Sequence, residues 1–166
     1  MRPFSTAKIS ACGLLALALW LTQGSAHAAS TTATFNVTAT VATSCSVSAS
    51  DLAFGTYDAA SNTDTLGTST INVTCSLLTP YTISLNNGGN ASGSQRRMGS
   101  GASRLNYDLY RDVAMTNVFG TVAAALGVSG IGTGFSAPTT VYGKLAKNQA
   151  IAPGSYTDQV TVTLDY

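Results

Sequence analysis

The chain has 166 residues with eight Lys and Arg, seven Asp, no Glu and one His, a formal net charge of +1. Only 9% of its residues are charged, which leaves no electrostatic footprint for nucleic acid or an anionic membrane surface. Acid–base chemistry has little to draw on, because His and Glu are its commonest carriers.

The N-terminus carries Arg2 and Lys8, then the apolar run "ACGLLALALWL" (11–21), then a short polar stretch closing on Ala26-His27-Ala28. A charged, an apolar and a small-residue region in that order predict a secretory signal peptide over residues 1–28. The apolar run is too short for a spanning helix, which needs about 20 residues, and it follows Cys12 where a lipidation site would have it precede the cysteine. Cleavage removes Arg2, Lys8, Cys12 and the only histidine, His27, leaving one more Asp than Lys plus Arg. Cys45 and Cys75 remain, and in an oxidising compartment one disulfide is the economical reading. A closed loop of about 30 residues is worth roughly 3 to 4 kcal/mol on the chain-entropy account.

Past the leader, "TTATFNVTATVA" (31–42) alternates Ala33, Phe35, Val37, Ala39 and Val41 against a threonine-rich face, the pattern of a half-buried strand. "SCSVSASDLAFGTY" (44–57) follows, then "TSTINVTCSL" (68–77) with Ile71, Val73, Cys75 and Leu77 on one face, and "YTISL" (81–85) after Pro80. Residues 86–104 are rich in Gly, Ser and Asn and are expected as a long loop, with Arg96 and Arg97 solvated. "LNYDLYRD" (105–112) turns Leu105, Tyr107 and Leu109 inward. Residues 113–138 read poorly: "NVFG" suggests a short strand and "GVSGIGTGFSAP" a flexible loop. "TTVYGKL" (139–145) and "SYTDQVTVTLDY" (155–166) close the series, the latter as one long strand with Val160, Val162, Leu164 and Tyr166 on one face.

Many short alternating strands, turn signals between them and no helical period indicate an all-β chain, an antiparallel sandwich of immunoglobulin-like type. About six convincing strands follow Cys45, where such a sandwich wants about seven. An incomplete sandwich leaves an apolar groove and an open edge, and residues 31–42 have the shape to fill it. Filling its own groove gives a closed monomer, and filling a neighbour's gives a head-to-tail filament. Physical grounds alone leave both open.

"CSVSASDLAFGTY" (45–57), "INVTCSLLTPYTISLNNG" (71–88), "RRM" (96–98), "LNYDLYRD", "VYGKL" (141–145) and "PGSYTDQVTVTLDY" (153–166) resemble, in order and spacing, the spore coat protein U domain found in pilus subunits of the archaic chaperone-usher class. One departure is "VFG" (118–120), where a Trp before the Gly is expected. The resemblance implies residues 29–43 as an N-terminal donor strand and 44–166 as the pilin domain, incomplete until a donated strand completes it. It implies export through the periplasm to a surface pilus, with a periplasmic chaperone, an outer-membrane usher and other copies of the chain or related subunits as partners, and a role in adhesion and biofilm formation. By matching position, Ala33, Phe35, Val37, Ala39 and Val41 become donor residues, and the first and last core strands, with Val47, Leu52, Phe54, Val160, Val162 and Leu164, become the acceptor groove.

Other functions fit the sequence less well. Tyr107, Tyr110, Tyr142, Tyr156 and Tyr166 suit a glycan platform in a secreted monomeric carbohydrate-binding sandwich, but such tyrosines more often form cross-strand pairs. Catalysis lacks a nucleophile with a base, and no spacing supports Asp58 with Asp158 as a glycosidase pair. The scattered Asp residues form no calcium loop. No cofactor, no metal and no membrane insertion after leader removal are expected.

Overall fold

Alternating apolar residues make strands that bury one face each, and here they build two sheets. The structure, a computed structural model, describes residues 28–166, so the predicted leader, Ala28 apart, lies outside the described residues. The chain divides into a unit that ends at Ala39 and a second from Thr40 to Tyr166. In the first, the described residues 28–39 are exposed and belong to no strand. The strand expected over 31–42 is therefore unpaired in the single chain.

The second unit has eight strands: β1 (Cys45–Ala49), β2 (Thr65–Cys75), β3 (Pro80–Leu85), β4 (Arg96–Ser100), β5 (Ser103–Tyr110), β6 (Val128–Ile131), β7 (Ser136–Leu145) and β8 (Val162–Asp165), with one 3₁₀ turn at Val122–Ala124. They form a five-stranded sheet, β1-β2-β7-β5-β4, and a three-stranded sheet, β6-β3-β8. All pairings are antiparallel. Ile71, Val73 and Cys75 of β2, Leu105, Tyr107 and Leu109 of β5, Val141 and Leu145 of β7, and Ile83 and Leu85 of β3 meet in one core. Cys45 stands directly opposite Cys75 in the β1–β2 ladder, and the two form the expected disulfide.

Four expectations need correction. First, residues 86–104 are not one loop, because β4 occupies Arg96–Ser100 and pairs with β5. Arg96 faces inward opposite Tyr107 and is buried, donating from Nε and Nη2 to the Asn86 carbonyl at 3.1 and 2.7 Å. Arg97 braces the same loop through the carbonyls of Asn90 and Ala91. Burial lowers the pKa of Arg96, and Tyr107, Asp108 and Asp158 restore part of it; the group stays cationic at any physiological pH.

Second, the glycine-rich 127–138 region is ordered. It contains β6 and the start of β7, and its glycines permit close approach: a Cβ at Gly130 would stand 2.5 Å from the Tyr81 ring, and one at Gly127 2.9 Å from the Ile83 carbonyl. Phe119, at the family's expected Trp position, is the largest fully buried side chain. Third, Leu77 does not continue the inward face of β2, because Thr79 N–H closes a turn onto Ser76 O at 3.1 Å and swings Leu77 into solvent. Fourth, only Val162–Asp165 of the long final strand pairs as a ladder, with β3, although side chains 156, 158, 160, 162 and 164 still alternate inward.

Replacing Arg96 with Met removes both charge-assisted bonds and leaves the Asn86 carbonyl without them. Unfolding in urea should show a loss of about 2 to 3 kcal/mol, whereas Arg97→Met, on the outer side, should cost less than half of that.

A groove between two unpaired edges

Between Ala49 and β2, and again between β7 and β8, parts of the chain run outside the strand ladders. From Asp51 to Tyr57 and from Ile151 to Tyr156 no backbone–backbone hydrogen bond forms among the described residues. The two segments face each other across a groove made of two adjoining hollows of about 520 and 690 Å³. Leu52, Phe54, Met98 and Tyr156 line both.

The groove floor follows from a pair of glycines. Gly67 of β2 is opposite Gly143 of β7, and the missing side chains make a trough in which Leu52 and Phe54 lie on the sheet. A Cβ at Gly143 would meet Phe54 Cζ at 2.8 Å and Leu52 Cδ1 at 2.9 Å. Phe54 then packs edge-on against Tyr107, with ring centroids 6.2 Å apart. Ile71, Leu85, Leu109 and Val141 show through from the core. The groove is thus apolar at its base and flanked by backbone that makes no backbone–backbone hydrogen bonds over 51–57 and 151–156.

One polar network crosses it. Asp158 accepts from Tyr107 Oη at 2.6 Å and from the backbone N–H and side-chain Nδ2 of Asn90 at 3.0 and 3.1 Å. Thr157 exchanges backbone bonds with Gly99, and Thr161 and Gln159 accept from Asn86 and Gly89. The 157–161 segment is thereby stitched to the end of β4 and to the chain beyond β3, which holds the second rim in place. Burial and the Asp158 carboxylate hold the Tyr107 hydroxyl pKa well above its ordinary value.

Of the acceptor residues expected from sequence, Leu52, Phe54, Val160 and Val162 line the groove. Val47 stands on β1 opposite Val73, partly exposed, and Leu164 on β8 opposite Ile83, packed against the core; neither lines the two hollows. Met98, Tyr107, Tyr156 and Asp158 are groove residues that sequence reasoning missed. The even-numbered alternation that runs from Val160 back to Asp158 and Tyr156 was the signal for two of them. Phe35, Val37 and Val41 are exposed, Phe35 by 86%, as are Ala33 and Ala39.

The tyrosines do not share a platform. Tyr107 is inside the sandwich, Tyr110 and Tyr142 are cross-strand partners with Lys144 above the Tyr110 ring, and Tyr156 bonds Ala152 O. Asp58 caps its own turn at Ala60, apart from the Asp158 network. No cluster of three or more His, Cys, Asp or Glu suited to a metal occurs among the described residues.

The raised Tyr107 pKa makes a pH prediction. An unfolded tyrosine loses its proton near pH 10, but the folded one holds it to higher pH, so above pH 10 the unfolded state binds fewer protons and stability falls as pH rises. Denaturant midpoints measured from pH 9 upward should show this decline, and Tyr107→Phe should flatten it by one proton's worth of slope.

Comparison with known proteins places this geometry. Protein U of Myxococcus xanthus is 33% identical over 176 aligned residues, covering 96% of this chain and 98% of that protein. Among solved structures, the crystal structure of the CsuC-CsuE chaperone-tip adhesion subunit pre-assembly complex from archaic chaperone-usher Csu pili of Acinetobacter baumannii matches with a TM-score of 0.59 and 30% identity, over 76% of this chain. The present chain spans 40% of the length of that matched chain. The family model of the Spore Coat Protein U domain matches residues 31–163, a span that holds both the unpaired N-terminal segment and the grooved sandwich, and this chain belongs to that family.

Proposed function

We propose that this protein is a structural pilus subunit that polymerises by donating residues 31–42 to the groove of the next copy. The observation that carries the reading is the coexistence of an apolar groove between two unpaired backbone edges and, in the same chain, an unpaired segment that alternates apolar and polar residues. A strand laid in the groove gains main-chain bonds along its edges and apolar contacts below, the mode of strand addition. Ala33, Phe35, Val37, Ala39 and Val41 are the donor side chains that face the floor. Leu52, Phe54, Val160 and Val162 are the acceptors within the hollows, with Val47 and Leu164 at the margins.

Magnitudes favour exchange when the fit is close. Burying Phe35, Val37 and Val41 is worth roughly 1.5 to 3 kcal/mol each, and each new ladder bond about 1 kcal/mol net. Ordering some ten residues costs about 1 to 2 kcal/mol apiece, so the depth of each seat decides the balance. Before exchange the groove needs a cover, which the likeness to a chaperone–subunit complex supports as a periplasmic chaperone, with an outer-membrane usher as the site of exchange. The proposed location is the cell surface, as pili that serve adhesion and biofilm formation. The protein has no catalytic role in this reading.

Phe35→Asp places a charge where the largest donor side chain meets the apolar floor. The variant should be exported with its disulfide formed yet yield no fibres by negative-stain microscopy, while Thr34→Asp, on the opposite face, should still assemble. Normal fibres from Phe35→Asp would remove the basis for the assignment.

A further inference from the structure

The sandwich has a second opening, where its two sheets part. β5 pairs with β7 only over residues 142–144, so the same edge of β7 over 136–141 has no ladder partner. β6 ends the three-stranded sheet and pairs only with β3. Between these edges lies a hollow of about 760 Å³, lined by Thr140 and Tyr142 of β7, the start of β6, and Arg111, Asp112 and Asn117 of the β5–β6 connection. It shares no residue with the two hollows of the apolar groove.

The wall of this opening is fixed by its own bonds. Asp112 accepts from Asn117 N–H at 2.7 Å, from Thr116 Oγ1 at 2.8 Å and from Thr116 N–H at 3.2 Å. Arg111 ties the connection twice, its N–H donating to Asn117 O at 3.0 Å and its Nη1 to Gly127 O at 2.7 Å. Met115 and Ala125, in the same connection, have φ of 54° and 56°. A residue with a side chain holds that conformation only where its surroundings impose it.

The fixed wall keeps polar groups in reserve. A carboxylate offers about four acceptor sites and a guanidinium about five donors, so these bonds leave Asp112 able to accept once more and Arg111 with most of its donors. Asn117 uses one amide hydrogen, on Thr116 Oγ1 at 3.1 Å. The Tyr57, Tyr107 and Tyr156 hydroxyls bond within the protein, whereas that of half-buried Tyr142 has no partner among the described residues. One guanidinium and one carboxylate leave the lining without net charge. The ligand that matches is uncharged, both donates and accepts through its hydroxyls, and has an apolar C–H face for a tyrosine ring. That is the chemistry of a pyranose.

We propose that this hollow binds an uncharged polysaccharide, with Tyr142 against one sugar ring and Arg111, Asp112 and Asn117 on its hydroxyls. The site does not rest on strand donation. In a fibre of such subunits it would recur in every copy, and weak sites would then act together.

The test presents the full chain to a printed array of neutral and acidic oligosaccharides, followed by titration calorimetry with the neutral oligosaccharide that binds best. Tyr142→Phe and Asn117→Ala each remove polar atoms and leave the core alone, so the disulfide should form and the melting temperature should stay within a few degrees of the wild type. Combined, they should weaken binding roughly tenfold or more. Tyr166→Phe, outside the hollow, should leave it unchanged. If the double variant melts early, Thr140→Val, at an exposed position, supplies the same reading. Wild-type chains that bind no glycan, or acidic glycans alone, overturn the proposal, as does neutral-glycan binding that these variants do not weaken. Each of those results leaves strand donation, which is read from fibres, standing.

Discussion

A backbone edge without a partner is the constraint on which the rest of this structure depends. Strand N–H and C=O groups are obligatory hydrogen-bonding groups, and a sheet edge over apolar side chains is a template for another chain. Here two such edges, at 51–57 and 151–156, stand on either side of one groove, and their own chain closes neither onto the other. The sandwich is held open by construction. Glycines at 67 and 143 lower the floor so that Leu52 and Phe54 lie flat, and the Asp158–Tyr107–Asn90 network fixes the opposite rim.

Rigidity of the open form has to come from elsewhere in the molecule. The disulfide joins β1 to β2 at the pole from which the N-terminal segment departs, so the strand bordering the groove is covalently anchored where pulling through residues 31–44 would load it. Arg96 and Arg97 brace the chain beyond β3 by its carbonyls, and that chain in turn holds the 157–161 rim. These ties keep the groove shaped in the single chain, and under the proposed strand donation that lowers the ordering cost of exchange.

Much of this was legible in the residues because the physics is local. Period-two alternation placed Ile71, Val73, Leu105, Tyr107 and Leu109 inside, and with the expected leader set aside two cysteines left one pairing. The acceptor residues came from the family resemblance instead, and four of those six, Leu52, Phe54, Val160 and Val162, lie along the hollows. What sequence hid is long-range. Arg96 looks like loop chemistry until β4 pairs with β5 and turns it inward. The 127–134 glycines look like flexibility, whereas Gly127, Gly130 and Gly132 are small so that Ile83, Tyr81 and Cys75 can come close. Leu77 carries the parity of a core position, and only the turn at Ser76–Thr79 takes it out. Met98 and Asp158 reach the groove through pairing and a sheet-to-sheet crossing that no window of sequence shows.

The most direct measurement of the central claim is the size distribution, by sedimentation and negative-stain microscopy, of the exported chain beside a form lacking residues 29–42. The account predicts polymers from the full chain, and from the deletion only a subunit that stays small and gains stability on addition of a peptide with the sequence of residues 31–42. Two forms that both remain monomeric, the full chain differing only in being more stable, would show that the strand closes its own groove and would contradict the account.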